Sequence, residues 1–211
     1  SIIGAFGRNN GGFLNLARIV DFALNDGRDR LTGEQLGLHT GDPRNFTCIE
    51  DVMEAVKTQL LYFIKLLATE DHIIDVVQSE LTPHVLVSTM IPGCIEKGKD
   101  ITAGGAIYHT TTPFGAGLAT ATDSLAAIKK AVFEDKSVSM DELLHALDTD
   151  FEGMEGEKIR QKLLATPKFG NDDDYVDEFA RFLTDTFMKE VETYESGRGG
   201  HLVGGFFTLS S

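Results

Sequence analysis

The sequence predicts a mainly α-helical fold. Three observations carry this expectation: long apolar stripes at helical spacing, two Ser/Thr–Glu capping-box signatures, and few runs that alternate like a strand. At 211 residues and 42% hydrophobic, the chain can bury a substantial core. No internal repeat and no linker interrupts residues 1–211, so they read as one segment.

A first helix is expected over Gly12–Asp26, where Phe13, Leu16, Ala17, Val20, Ala23 and Leu24 share a face and Gly27 supplies the stop. Residues 27–46 read as a loop, with four Gly and one Pro in that stretch. Thr47 and Glu50 form the first capping box. Behind it Ile49, Val52, Met53, Val56, Leu60, Phe63, Ile64 and Leu67 make a continuous stripe. The helix runs on toward Leu81, with a break expected near Glu70–Asp71 and an end before Pro83. Residues 84–97 are short and apolar, and period alone does not separate helix from strand there.

The stretch Cys94–Gly117 is rich in Gly and Thr and reads as a loop held between helices, the kind of segment that carries function. Ala121–Glu134 is the next helix. Ser139 and Glu142 form the second capping box, ahead of Met140, Leu143, Leu144 and Leu147 on one face. A short helix near Lys158–Ala165 ends before Pro167. Asp172–Asp174 place negative charge at the start of the last long helix, where the helix dipole favours it. Its stripe is Val176, Phe179, Ala180, Leu183, Phe187, Val191 and Tyr194. Strand signals are confined to 84–90 and 205–209.

Charge excludes some classes of partner. With 19 basic and 33 acidic residues the net charge is −14, which disfavours nucleic acid and anionic membranes. No apolar run approaches the roughly 18 residues of a membrane span, and no signal peptide is visible. Two cysteines, Cys48 and Cys94, make neither a metal spacing nor a disulfide framework, which fits a reducing cytoplasm. The chain lacks an initiating Met and ends on an apolar run, so it is expected to be truncated at both ends.

Several constellations fail as chemistry. Asn171–Asp174 suggests a cation loop, but Val176 and Phe182 stand where the Gly and Glu of an EF-hand would be. Gly115-Ala116-Gly117 approaches a dinucleotide fingerprint, with Thr120 at the final small position and no clear strand before it. The six His are scattered, and none makes a metal spacing. His109 stands out, beside Tyr108 in the central loop. Gly93-Cys94-Ile95-Glu96 places a thiol near a carboxylate. It reads either as a nucleophile or radical carrier with an acid–base partner, helped by Lys97 and Lys99, or as an ordinary buried Cys.

The order of segments resembles glycyl radical enzymes related to pyruvate formate-lyase, in the glycerol/diol dehydratase-like branch. The matching pieces are FLNLARIVDFALNDG (13–27), TGDPRNF (40–46), CIEKGKDITAGGAIY (94–108), DSLAAIKKAVFEDK (123–136) and PKFGNDDDYVDEFA (167–180), with SGRGGHLVGGFF (196–207) more loosely alike. The resemblance implies that the chain is part of an α/β ten-stranded barrel. It also resolves the status of Cys94. The family's thiyl-radical Cys lies in a Gly-Cys-x-Glu motif that precedes the segment resembling 13–27, so Cys94 and Glu96 become a decoy and the catalytic Cys is expected before Ser1. The radical Gly belongs to an Arg-Val-x-Gly-Tyr type motif that is absent here. No catalytic residue and no metal is assigned to this segment.

What the resemblance leaves here is pocket wall: Tyr108, His109 and Phe114. The family commonly has Asn where His109 stands and Gln where Phe114 stands, departures that point toward a less polar or aromatic substrate. The implied reaction of the parent is radical cleavage of a C–O, C–N or C–C bond in a small substrate, with radical addition or decarboxylation as alternatives. The implied setting is an anaerobic bacterial cytoplasm, a radical-SAM activating enzyme that installs the glycyl radical, and a homodimer. The competing expectation is a helical module with no catalysis of its own.

Overall fold

The structure, a computed structural model, describes residues 6–207, with side chains from Gly11 onward. Of the strand expected over 205–209, residues 208 and 209 lie outside the described residues. The chain divides into two compact units.

The first unit contains strand β1 (Phe6–Asn15) up to Leu14, Phe63–Ala116 and Phe187–Phe207. Its sheet orders β1, β2 (Tyr108–Ala116) and β3 (Gly205–Phe207) side by side. β2 and β3 run parallel, with Phe114 opposite Gly205 and Ala116 opposite Phe207. Residues 63–81 of helix α2 (Ile49–Leu81) pack on this sheet. A Cβ on Gly12 would lie 2.4 Å from Leu67 Cδ1, and one on Gly11 would meet the Asp71 carboxylate at the same distance. That crowding explains why the expected helix over 12–26 begins only at Leu16. The two glycines serve a strand that lies hard against α2, and Phe13 is an exposed strand residue rather than a helix-core one.

Three other expectations are corrected in this unit. Helix α2 is unbroken through Glu70–Asp71, because both acids lie on a regular helix and Asp71 finds a donor across the sheet. The strand signal at 84–90 becomes the single turn α3 (Val85–Ser88), followed by α4 (Cys94–Lys97). The Gly/Thr loop is a loop only as far as Ile107. Beyond it Thr110, Thr111 and Thr112 form β2, as β-branched residues suit a pleated surface.

The second unit contains Asn15–Tyr62 and Gly117–Thr186. Helices α1 (Leu16–Ala23) and α5 (Leu118–Ile128) pack together, and α6 (Met140–Asp148), α7 (Gly153–Leu164) and most of α8 (Asp174–Val191) complete it. Leu16, Ile19, Val52, Leu60, Leu125, Phe179 and Leu183 are buried as the stripes require. The loop over 27–46 is sewn down by buried Gln59, which accepts from Leu38 N at 3.0 Å and donates to Leu38 O at 2.6 Å. At the start of α2 the acid that closes on Thr47 is Asp51, not Glu50: Thr47 N and Oγ1 donate to it at 2.7 and 3.0 Å. The Ser139–Glu142 capping box forms as expected. The expected helix over 121–134 is α5 followed by a π turn over Lys129–Glu134.

Asp71 is a buried carboxylate of the first unit. Its Oδ1 accepts from Gly12 N at 2.9 Å, while its buried Oδ2 has no hydrogen-bond partner among the described residues. Burial pushes its carboxyl up to about 6, and the nearby charges of Asp75 and Glu70 push the same way against the Gly12 hydrogen bond. A carboxyl raised from 3.8 in this way favours the protonated folded state, so stability falls as pH rises through 4 to 6 and is then flat. The Asp71→Asn variant keeps an acceptor for Gly12 and carries no charge. It is expected to be more stable than the parent chain by up to about 3 kcal/mol at pH 8, an advantage that shrinks as pH falls from about 6 to about 4. Urea unfolding across that range checks the sign.

Candidate functional site

Strand β2 gives the first unit two chemically different faces. Side chains alternate along a strand, so Tyr108, Thr110, Thr112 and Phe114 share one face while His109, Thr111 and Pro113 share the other.

On the second face Thr111 Oγ1 donates to Asp75 Oδ2 at 2.7 Å, placing this side against α2. Ser196 Oγ donates to the same oxygen at 2.9 Å, and Arg198 Nε donates to Asp75 Oδ1 at 2.8 Å. Arg198 Nη2 also reaches Gln78 Oε1 at 2.8 Å. The Asp75 and Arg198 side chains are 0% and 5% exposed, so this is a buried ion pair inside a hydrogen-bond network. Further along the sheet, Phe206 packs against Phe187 of α8 at 5.2 Å between ring centroids.

The first face is aromatic at one end. Phe114 stacks on Phe13 at 5.5 Å and 19°, and Phe207 meets both rings edge-on at 5.7 and 6.3 Å. These separations and angles suit the quadrupoles of the rings. Gly205 makes room for them, since a Cβ there would lie 2.8 Å from Phe114 Cε1. Phe13 is 59% exposed, Phe207 43% and Tyr108 51%. Phe13 and Phe207 are the residues the sequence reading missed. The helical stripe claims the first and the apolar terminal run the second, and only the sheet register joins them to Phe114.

His109 is adjacent to Tyr108 in sequence but not in space. Its Nδ1 lies 3.4 Å from Ala106 O, and its ring covers Gly200 and Gly104 on the network side of the strand. Tyr108 and Phe114 therefore share a surface that His109 does not.

The turn leading into Tyr108 is built on Asp100. Burial alone would raise this carboxyl. Hydrogen bonds from Ser88 Oγ, Thr102 Oγ1, Thr102 N and His84 N outweigh that effect and hold it well below the usual carboxylate range. The Cys94 thiol is buried beside it. Desolvation, aided by the Asp100 charge, pushes its pKa up, away from the thiolate that reactivity requires. Lys97 Nζ donates to Ala106 O at 2.7 Å, and Glu96 Oε2 accepts from Gly93 N at 2.9 Å, so both charged neighbours of Cys94 are spent on backbone.

No group of three or more metal-ligating side chains is found among the described residues. The second unit has a cleft lined by Val20, Leu24, Leu143, Leu147, Phe151 and Leu164, but its charged side chains are engaged structurally. Arg18 pairs with Asp21 and Asp29, Asp123 accepts from Phe169 N, and Lys168 binds the carbonyl oxygens of Leu163 and Thr166.

The fold of this chain as a whole is shared with solved proteins. Those proteins include enzymes built around a glycyl radical. Solved structures similar to this chain include hydroxyproline dehydratase from Clostridioides difficile with trans-4-hydroxy-L-proline bound. That structure is 40% identical, with a TM-score of 0.90 over 96% of this chain and 26% of that one. Others are the glycerol-bound B12-independent glycerol dehydratase from Clostridium butyricum (37%, TM-score 0.83, 94% and 25%) and a glycyl radical enzyme from Archaeoglobus fulgidus (33%, TM-score 0.83, 92% and 24%). The trans-4-hydroxy-L-proline dehydratase of Clostridioides difficile is 42% identical over 191 residues, covering 90% of this chain and 24% of that protein. A family model described as pyruvate formate lyase-like matches residues 1–211, and the chain belongs to that family. It spans about a quarter of the length of these relatives.

The Gly104 position tests the packing behind Tyr108. Gly104 has φ +79°, and a Cβ there would meet Arg198 O at 2.4 Å. Gly104→Ala is expected to cost roughly 1–3 kcal/mol from left-handed backbone alone, with the clash adding to it. Urea denaturation of the variant against the parent chain measures the loss.

Proposed function

We propose that this chain is the β2-bearing segment of a glycyl radical dehydratase or lyase. In this reading the face of β2 that carries Tyr108 and Phe114 is a wall of the pocket for a small substrate. The observation that carries the reading is the match to a substrate-bound hydroxyproline dehydratase at TM-score 0.90 along 96% of the chain. The remainder of the barrel, the thiyl-forming Cys and the radical Gly belong to the rest of the parent. A glycyl radical, installed by a radical-SAM activating enzyme, supplies hydrogen-atom abstraction when present. The parent acts in an anaerobic cytoplasm as a homodimer.

The work of this segment is positioning and exclusion. Tyr108 offers an apolar ring and one hydroxyl that can donate or accept, which orients a polar group of a small substrate. Thr110 adds a hydroxyl on the same face, beside the buried Thr112, and none of these side chains is charged. The aromatic end excludes water, which protects a reactive radical from side reactions. His109 supports the strand from behind rather than touching substrate. Cys94 and Glu96 take no part in the chemistry.

Cleavage of a C–O, C–N or C–C bond is the first reading of the reaction. A second, radical addition or decarboxylation on a less polar or aromatic substrate, is favoured by the three-ring cluster of Phe13, Phe114 and Phe207.

The test is anaerobic activation of the whole parent, with electron paramagnetic resonance for the glycyl radical and product analysis on small hydroxylated substrates. Activation should give the radical and substrate-dependent product, and its complete absence would refute the reading. In the activated enzyme Tyr108→Phe is expected to lower kcat/KM by roughly 10- to 100-fold, the range for losing a buried hydrogen bond to substrate. Radical yield should be unchanged.

A further inference from the structure

Asp75 is a buried acid that the pocket reading does not use. It sits on the apolar stripe of α2, four residues after Asp71, and gathers groups far apart in the chain. Thr111 lies 36 residues away, Ser196 121 and Arg198 123. The loop it holds is tight. Ser196 N donates to Gly200 O at 2.6 Å, and Arg198 N donates to Ser196 Oγ at 3.0 Å.

That loop lies directly against the turn that precedes Tyr108. A Cβ on Gly104 would strike the Arg198 carbonyl oxygen, and one on Gly200 would lie 2.6 Å from the His109 carbonyl oxygen. A third tie runs along the strand, where Val203 N donates to Thr111 O at 3.1 Å. Thr111 is thus held through its hydroxyl by Asp75 and through its carbonyl by Val203.

We infer that the Asp75–Arg198 pair, acting through Thr111 and the 196–200 loop, is a positioning device for Tyr108. This rests on the reading of the Tyr108 face as pocket wall. Asp75 and Arg198 lie on the face of β2 opposite that wall and act only through the strand. Thr111 is the reporter position, because its hydroxyl can be removed at nearly constant volume while the charge pair stays intact. Displacement of a binding group by about 1 Å can cost as much as a hundredfold in rate.

The test uses Thr111→Val and Thr111→Ser in the activated parent enzyme. Thr111→Val is expected to raise KM or lower kcat/KM by roughly 10- to 100-fold at unchanged radical content, and Thr111→Ser to restore both. A merely structural role would instead lower the melting temperature and the radical content together and leave KM unchanged, and that pattern would overturn the inference. A parent that forms no radical at all refutes the functional reading, not the clamp. The clamp is read separately by amide hydrogen exchange in this chain. Thr111→Val should accelerate exchange at 104–109 and 196–200 and leave α5 and α6 unchanged, and unaltered exchange at 104–109 would overturn the inference.

Discussion

The Asp75 carboxylate, buried and charge-paired with Arg198, is the constraint on which the first unit depends. A buried ion pair gives little net stability, because desolvation of both charges offsets their attraction. Its value is specificity. Asp75 accepts from two hydroxyls as well as the guanidinium, so its donors must arrive in one geometry. Helix α2, strand β2 and the 196–198 loop have only one mutual placement that satisfies the network. Removing one partner would strand a charge in the interior, so the elements are held together.

The two faces of β2 follow from that placement. Once Thr111 points at Asp75, the pleat sends Tyr108, Thr110, Thr112 and Phe114 the other way. The parallel register with β3 brings Phe207 beside Phe114, and β1 brings Phe13. One strand therefore carries a polar back tied to Asp75 and an uncharged front of hydroxyls and rings. The Asp71 carboxyl, one turn before Asp75, shows the cost of the arrangement, since it is buried with Gly12 N as its one donor among the described residues. In the proposed reading the front meets a small molecule through hydroxyl contacts and apolar surface, as a pocket that must exclude water requires.

Much of the second unit was legible in the sequence. Its helices are amphipathic, and the Ser139–Glu142 capping box is a local signal that tertiary structure did not override. The family was legible from the order of its segments, which long-range packing does not disturb. The first unit was harder. Phe13 follows a helical stripe through Leu16 and Val20, yet contacts of Gly11 and Gly12 with α2 hold it in a strand. The Thr-rich run 108–116 looks like a loop until β3, some ninety residues later, supplies its partner. The Phe13–Phe114–Phe207 cluster exists only through that pairing. Asp75 left one faint trace, an acid on the buried face of a helix, which implies a partner without naming Arg198. At His109 the pleat sets the ring on the face opposite Tyr108, which adjacency in the sequence does not reveal.

The account stands on the front of β2 meeting substrate. The most direct measurement is an anaerobic crystal structure of the parent enzyme with its substrate bound. The account predicts the substrate within van der Waals reach, about 4 Å, of Tyr108, with Phe114 on the same side of the cavity and His109 behind the strand. A substrate bound elsewhere, with Tyr108 and Phe114 packed against the parent's own polypeptide, would contradict it.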